Sequence, residues 1–154
     1  VTIVALNHVS VTVGDMDEAL AFWGDGLGLE LIGRGTVQHA HLDAIVGLPA
    51  TVIEWAELRV PGGGLIELFR YHRPRGQDGR PPLAPNDRGA THVAFTVADL
   101  DALLARLLVA GHPARSAGPV EIPTGDWSGW RDVYVESPDG VIVELSEPPA
   151  GQRA

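Results

Sequence analysis

Four residues at repeated positions carry the chemistry this sequence offers. Residues 7–20 read Asn-His-Val-Ser-Val-Thr-Val-Gly-Asp-Met-Asp-Glu-Ala-Leu, and residues 91–104 read Thr-His-Val-Ala-Phe-Thr-Val-Ala-Asp-Leu-Asp-Ala-Leu-Leu. His8 falls on His92, Asp15 on Asp99 and Asp17 on Asp101 at a single offset. Pro61-Gly62-Gly63-Gly64-Leu65-Ile66-Glu67-Leu68 falls on Pro138-Asp139-Gly140-Val141-Ile142-Val143-Glu144-Leu145 at a slightly shorter one, as a change of loop length between two copies requires. Glu67 and Glu144 each sit in a strongly apolar stretch, where an ionised carboxylate is costly unless it is paired or binds a metal. Two imidazoles and two carboxylates related by an internal pseudo-twofold make up the donor set of a divalent cation with open positions. The ligand types suit Ni, Co, Zn, Mn or Fe, so His8, Glu67, His92 and Glu144 are the candidate metal ligands.

The elements that must position them follow from periodicity. Val9, Val11 and Val13 alternate with His8, Ser10 and Thr12, and Val93, Phe95 and Val97 with His92, Ala94 and Thr96, which is the pattern of a half-buried strand. A helix follows each strand. Asp15, with Glu18 three positions on, predicts the first N-terminus, and Met16, Ala19, Leu20 and Trp23 its apolar stripe. Asp99 starts the second helix, with Leu100, Leu103, Leu104 and Leu107 as the stripe and Gly111 as the stop. Further strands are expected near 29–33, 52–60 and 65–71, and near 113–116, 130–136 and 141–147. The fold class is therefore α+β, with two β-α-β-β-β modules over residues 1–71 and 89–147. Residues 72–88, with four prolines, read as a Pro/Gly/Arg-rich linker, and residues 148–154 as a frayed tail. Residues 34–51 and 117–129 read as long loops of the kind that cover sites.

Composition narrows the function classes. The 154 residues include no cysteine, which excludes thiolate nucleophiles and sulfur-ligated metals, and no lysine, which excludes a Schiff base. A net charge of −9 disfavours nucleic acid, whose binding rests on a basic footprint. No apolar run approaches the ~20 residues of a membrane span, and no secretory leader precedes the first strand, so a cytoplasmic protein without membrane contact is expected.

The motifs resemble those of the vicinal oxygen chelate superfamily, which includes glyoxalase I, methylmalonyl-CoA epimerase, extradiol dioxygenases and the bleomycin and fosfomycin resistance proteins. The carriers are Asn7-His8-Val9 with Gly14-Asp15-Met16, Leu65-Ile66-Glu67-Leu68, Thr91-His92-Val93-Ala94-Phe95, and Ser137-Pro138-Asp139-Gly140 ending in Val143-Glu144-Leu145; they span about residues 3–147. The resemblance implies two modules forming a cupped mixed sheet around a metal held by His8, Glu67, His92 and Glu144, a small-molecule substrate and a homodimer. The ligand order matches glyoxalase I. Epimerase members carry glutamine where this protein has Glu67, and extradiol dioxygenases use three ligands corresponding to His8, His92 and Glu144.

The expected activity is that of a metal-dependent lyase, isomerase or epimerase. It would move a proton on a small α-hydroxy carbonyl or thioester, with Glu144 or Glu67 as general base. An Fe(II)-dependent dioxygenase and a ligand-sequestering resistance or binding protein are the alternatives. The second catalytic carboxylate of the epimerase falls at residues 48–50, which carry no acid, and Asp43 and Glu54 are the nearest substitutes. Arg34 is the candidate clamp for a substrate carboxylate, and Phe69, Trp127 and Trp130 are candidates for lining the pocket, with core packing the alternative for Trp130. His39 and His41, two apart, face one side if their segment is extended.

Overall fold

A computed structural model describes residues 2–77 and 83–152. Two compact units meet in sequence between residues 80 and 81. In the first, β1 (His8–Thr12) leads into α1 (Met16–Leu20), a π-helical turn (Ala21–Gly26), β2 (Glu30–Val37), α2 (Ala40–Val46), β3 (Val52–Arg59) and β4 (Leu65–Arg73). The second runs β5 (His92–Thr96), α3 (Leu100–Val109), β6 (Val120–Glu121), β7 (Arg131–Glu136) and β8 (Ile142–Glu147). The strand orders are β1-β4-β3-β2 and β5-β8-β7-β6. Each first strand pairs in parallel with the last strand of its unit, and the remaining pairs are antiparallel. The α+β class and the twin β-α-β-β-β modules read from the sequence are what the structure contains. Among the described residues no helix is long and apolar enough to cross a membrane.

Strand alternation divides each sheet into a core face and a second face. In the first unit Val11, Ala56, Leu58, Ile66 and Leu68 pack with Met16, Ala19, Phe22 and Trp23, all at most 5% exposed. In the second, Val133, Val135, Val143 and Leu145 share the core with Leu100, Leu103 and Leu107. Burying each Leu, Val or Phe is worth about 1.5–3 kcal/mol, so this packing is the main term holding each helix to its sheet. The aspartates start the helices as their positions predicted. Asp15 accepts the N–H groups of Asp17 and Glu18, and Asp99 accepts that of Ala102.

The loops hold more structure than periodicity gave. Leu27 N–H bonds to Phe22 C=O in the wide π turn, which sets the adjacent Phe22 and Trp23 edge to face in the core. Residues 34–51 are not one loop: β2 continues to Val37, and α2 fills the middle. The strand expected at 113–116 is a single bridge, Ala114 to Val135, while β6 forms inside the stretch expected to be irregular. β4 runs on to Arg73, two residues into the expected linker, of which residues 78–82 lie outside those described.

Candidate functional site

The second face of each sheet, away from the helix, carries the repeated donors. In β1 that face holds His8, Ser10 and Thr12, and in β4 Leu65, Glu67, Phe69 and Tyr71. Nε2 of His8 stands 3.1 Å from Oε2 of Glu67. In the second unit Nε2 of His92 stands 3.0 Å from Oε2 of Glu144. The register is the same in both: each histidine lies opposite the residue two before its glutamate. Both imidazoles are well exposed (40% and 47%) and both carboxylates nearly buried (16% and 19%), so each pair presents its donors on an accessible surface. Two donors gather in each unit, and among the described residues no group of three or more is formed.

The first pair fits a cation on the chemistry of its atoms. Nδ1 of His8 is 2.7 Å from Oδ1 of Asn7, and the acceptor oxygen fixes the ring proton on Nδ1. Nε2 of the neutral ring is then a lone pair facing a carboxylate oxygen, and two acceptors at 3.1 Å need a proton or a metal ion between them. Burial raises the Glu67 carboxyl above its usual range; His8 opposes this and neighbouring Glu57 adds to it.

Residues not singled out in the sequence complete these faces. Glu57 is the register partner of Glu67 and points to the same side, with Trp55 and Ile53 alternating along β3. Tyr134 is the register partner of Glu144, and its ring lies 5.5 Å from that of His92. Burial first, then the carboxylates of Glu144 and Asp132, raise its phenol above the ordinary value. Counting in twos back from Glu67 through the Pro61–Gly64 turn would have found Glu57 and Trp55, had the hairpin register been known.

The other candidates are distributed differently. Phe69 stands on the Glu67 face, cross-strand from Trp55. Arg34 does not. It lies on the opposite face, in register with Ala56, where its guanidinium binds Glu54 (2.7 Å) and Asp17 (2.9 Å). Those two carboxylates hold Arg34 charged, raising an already high pKa. Glu54 also meets His72 at 3.2 Å, so this acid belongs to an ion cluster on the helix side. Asp43 is used by its own turn, accepting the N–H groups of Ala50 and Thr51. His39 stands at the N-cap position of α2 with no side-chain cap bond, His41 is the second residue of that helix, and their rings stack at 5.4 Å rather than flanking an extended segment. Trp127 and Trp130 meet edge to face at 4.7 Å in the turn before β7, and Trp127 is 58% exposed.

Comparison with known proteins gives a consistent answer. Residues 5–145 match the model of the glyoxalase/bleomycin resistance protein/dioxygenase superfamily. A protein of an Actinomyces species named 2-epi-5-epi-valiolone epimerase is 36% identical, over 96% of this chain and 81% of that one. The uncharacterized protein YaeR of Escherichia coli is 27% identical, over 92% and 95%. The crystal structure of a glyoxalase family protein from Bacillus cereus superposes with a TM-score of 0.85, at 26% identity, over 97% of both chains.

Proposed function

The chain belongs to the glyoxalase/bleomycin resistance protein/dioxygenase superfamily, and from that premise we propose that it is a metal-dependent epimerase of a hydroxylated ketone. The observation that carries the reading is the repeated pair: an imidazole nitrogen and a carboxylate oxygen 3.1 and 3.0 Å apart, in one register, in both units. The 36% identical relative that bears an epimerase name supports the reaction class, and its ketone name supports the substrate class.

In this reading His8, Glu67, His92 and Glu144 are ligands of a divalent ion. When bound, it supplies a positive charge for the oxyanion that forms as a proton leaves the carbon beside a carbonyl. Asn7 keeps the His8 proton on Nδ1, so that Nε2 remains a donor atom. The carboxylate of Glu67 or Glu144, when not bound to the ion, takes the proton from one face of that carbon, and an acid on the opposite face delivers a proton in its place, which inverts the centre.

The experiment is metal analysis of the purified protein followed by incubation with α-hydroxy ketones in D2O. Deuterium appearing beside the carbonyl, abolished by a chelator and restored by Mn, Co, Ni or Zn, is the expected result. Oxygen consumption with a catechol under Fe(II) and no deuterium incorporation would replace this reading with a dioxygenase. Homodimerisation, which the family resemblance implies, is measured on the same preparation by sedimentation.

A further inference from the structure

The face of the first sheet that carries His8 and Glu67 also carries Trp55 and Glu57, to which the proton-transfer reading gives no task. Strand β2 answers Trp55 and Glu57 with glycine at both register positions, Gly35 and Gly33. A Cβ on Gly33 would stand 3.0 Å from Cζ3 of Trp55, and one on Gly35 3.1 Å from its Cζ2. The indole therefore lies flat along β2, at a height that only glycine at both positions allows. One ring face rests on the strand. Trp55 is only partly buried. Phe69 extends this flat apolar ground on the neighbouring strand. At its border stands the Glu57 carboxyl group, hydrogen-bonded to Glu67 on the neighbouring strand.

A flat π surface bordered by a carboxylate suits a hydroxylated ring. The C–H bonds on one face of such a ring are weakly positive and settle on the negative face of an indole. The hydroxyls around its rim donate to carboxylate oxygens, which are acceptors only. An acyclic polyol would first have to freeze several torsions to present the same face. The geometry points to a binding subsite for a cyclic polyol on the first sheet, with Trp55 as the platform and Glu57 as the acceptor for hydroxyls away from the reacting carbon. This rests on the proposed epimerase reading and names the substrate class of that same site. Glu57 is also the nearest acid on the Glu67 face, which Asp43 and Glu54 are not.

The test uses the intact metal-loaded protein and two six-carbon probes with equal numbers of hydroxyls, cyclic myo-inositol and acyclic glucitol, with binding measured by calorimetry. Inositol is expected to bind at least about tenfold more tightly than glucitol, since the acyclic chain must freeze several torsions that the ring has already fixed. Trp55→Leu and Glu57→Gln should each weaken inositol binding by about tenfold, and Trp55→Phe by much less. Gly33→Ala, whose new methyl group displaces the ring, should weaken it as well, and serves if Trp55→Leu fails to fold. Equal binding of the two probes, or inositol binding indifferent to Gly33→Ala and Glu57→Gln, would overturn the subsite. Deuterium exchange on an acyclic hydroxy ketone without inositol binding overturns the subsite alone. Trp55-dependent inositol binding without exchange on any hydroxy ketone upholds the subsite and overturns the epimerase reading.

Discussion

His8 and Glu67 meet diagonally across two parallel strands. His8 lies opposite Leu65 and Glu67 opposite Ser10, yet Nε2 and Oε2 approach to 3.1 Å, and His92 and Glu144 repeat the diagonal at 3.0 Å. A parallel ladder offers this contact because same-face residues two apart on neighbouring strands lie within reach of long side chains.

If these four are the ligands, each of His8→Ala, Glu67→Gln, His92→Ala and Glu144→Gln should reduce the affinity for Mn or Ni by about 100-fold or more, since even outer-shell partners change it by 10–100-fold. Calorimetric titration checks this. The metal-free variants should melt close to the wild type, because all four side chains lie outside the packed cores. Unchanged metal affinity in any one of them removes that residue from the ligand set.

Asn7 acts only through His8. Asn7→Ala should weaken metal binding by about 10–100-fold, and Asn7→Asp, which restores an acceptor for the Nδ1 proton, should recover most of the loss. Thr91 occupies the matching place before His92, and Thr91→Val should leave affinity nearly unchanged.

Stability in the second unit depends on a buried acid. Glu147 is 3% exposed and accepts from Arg131 Nη1 at 2.9 Å and from the N–H of Leu100 at 3.3 Å, while Arg131 also holds Asp101. Arg131→Leu removes the cation that faces the buried Glu147 carboxylate. It should cost about 2 kcal/mol, read as a lower urea midpoint at unchanged slope. Glu147→Gln with Arg131→Leu together should recover part of that loss, because the neutral amide no longer needs a cation.

Acid should act through Asp43. The N–H of Thr51 first, then the Thr51 hydroxyl and the N–H of Ala50, hold its carboxyl below the ordinary value of 3.8. The unfolded protein therefore takes up this proton more readily than the folded one. The stabilisation is present above pH 3.8 and is lost as pH falls through the depressed folded value. Asp43→Ala should lower the melting temperature at pH 6, and the gap to wild type should narrow in melts run at about pH 2.5. A gap independent of pH would show that Asp43 contributes only as a hydrogen-bond acceptor.

The sequence alone determined the duplication, the class of fold and the face shared by His8 and Glu67, and again by His92 and Glu144. Those features are local: alternation in twos sets which side of a strand a residue takes, and the repeat carries one module's reading to the other. Arg34, Glu57 and Trp55 were decided by tertiary structure. Leu31 pairs with Leu58 but Gly33 with Glu57, so Ile32 is an extra residue in β2. Beyond that bulge every side group changes face, which sends Arg34 to the helix side with Glu54 and brings Gly33 and Gly35 under Trp55. A one-residue bulge carries no sequence pattern of its own. It forms because β3 fixes the register of β2 from more than twenty residues away, through the burial of Leu58 and Ala56 on the core face.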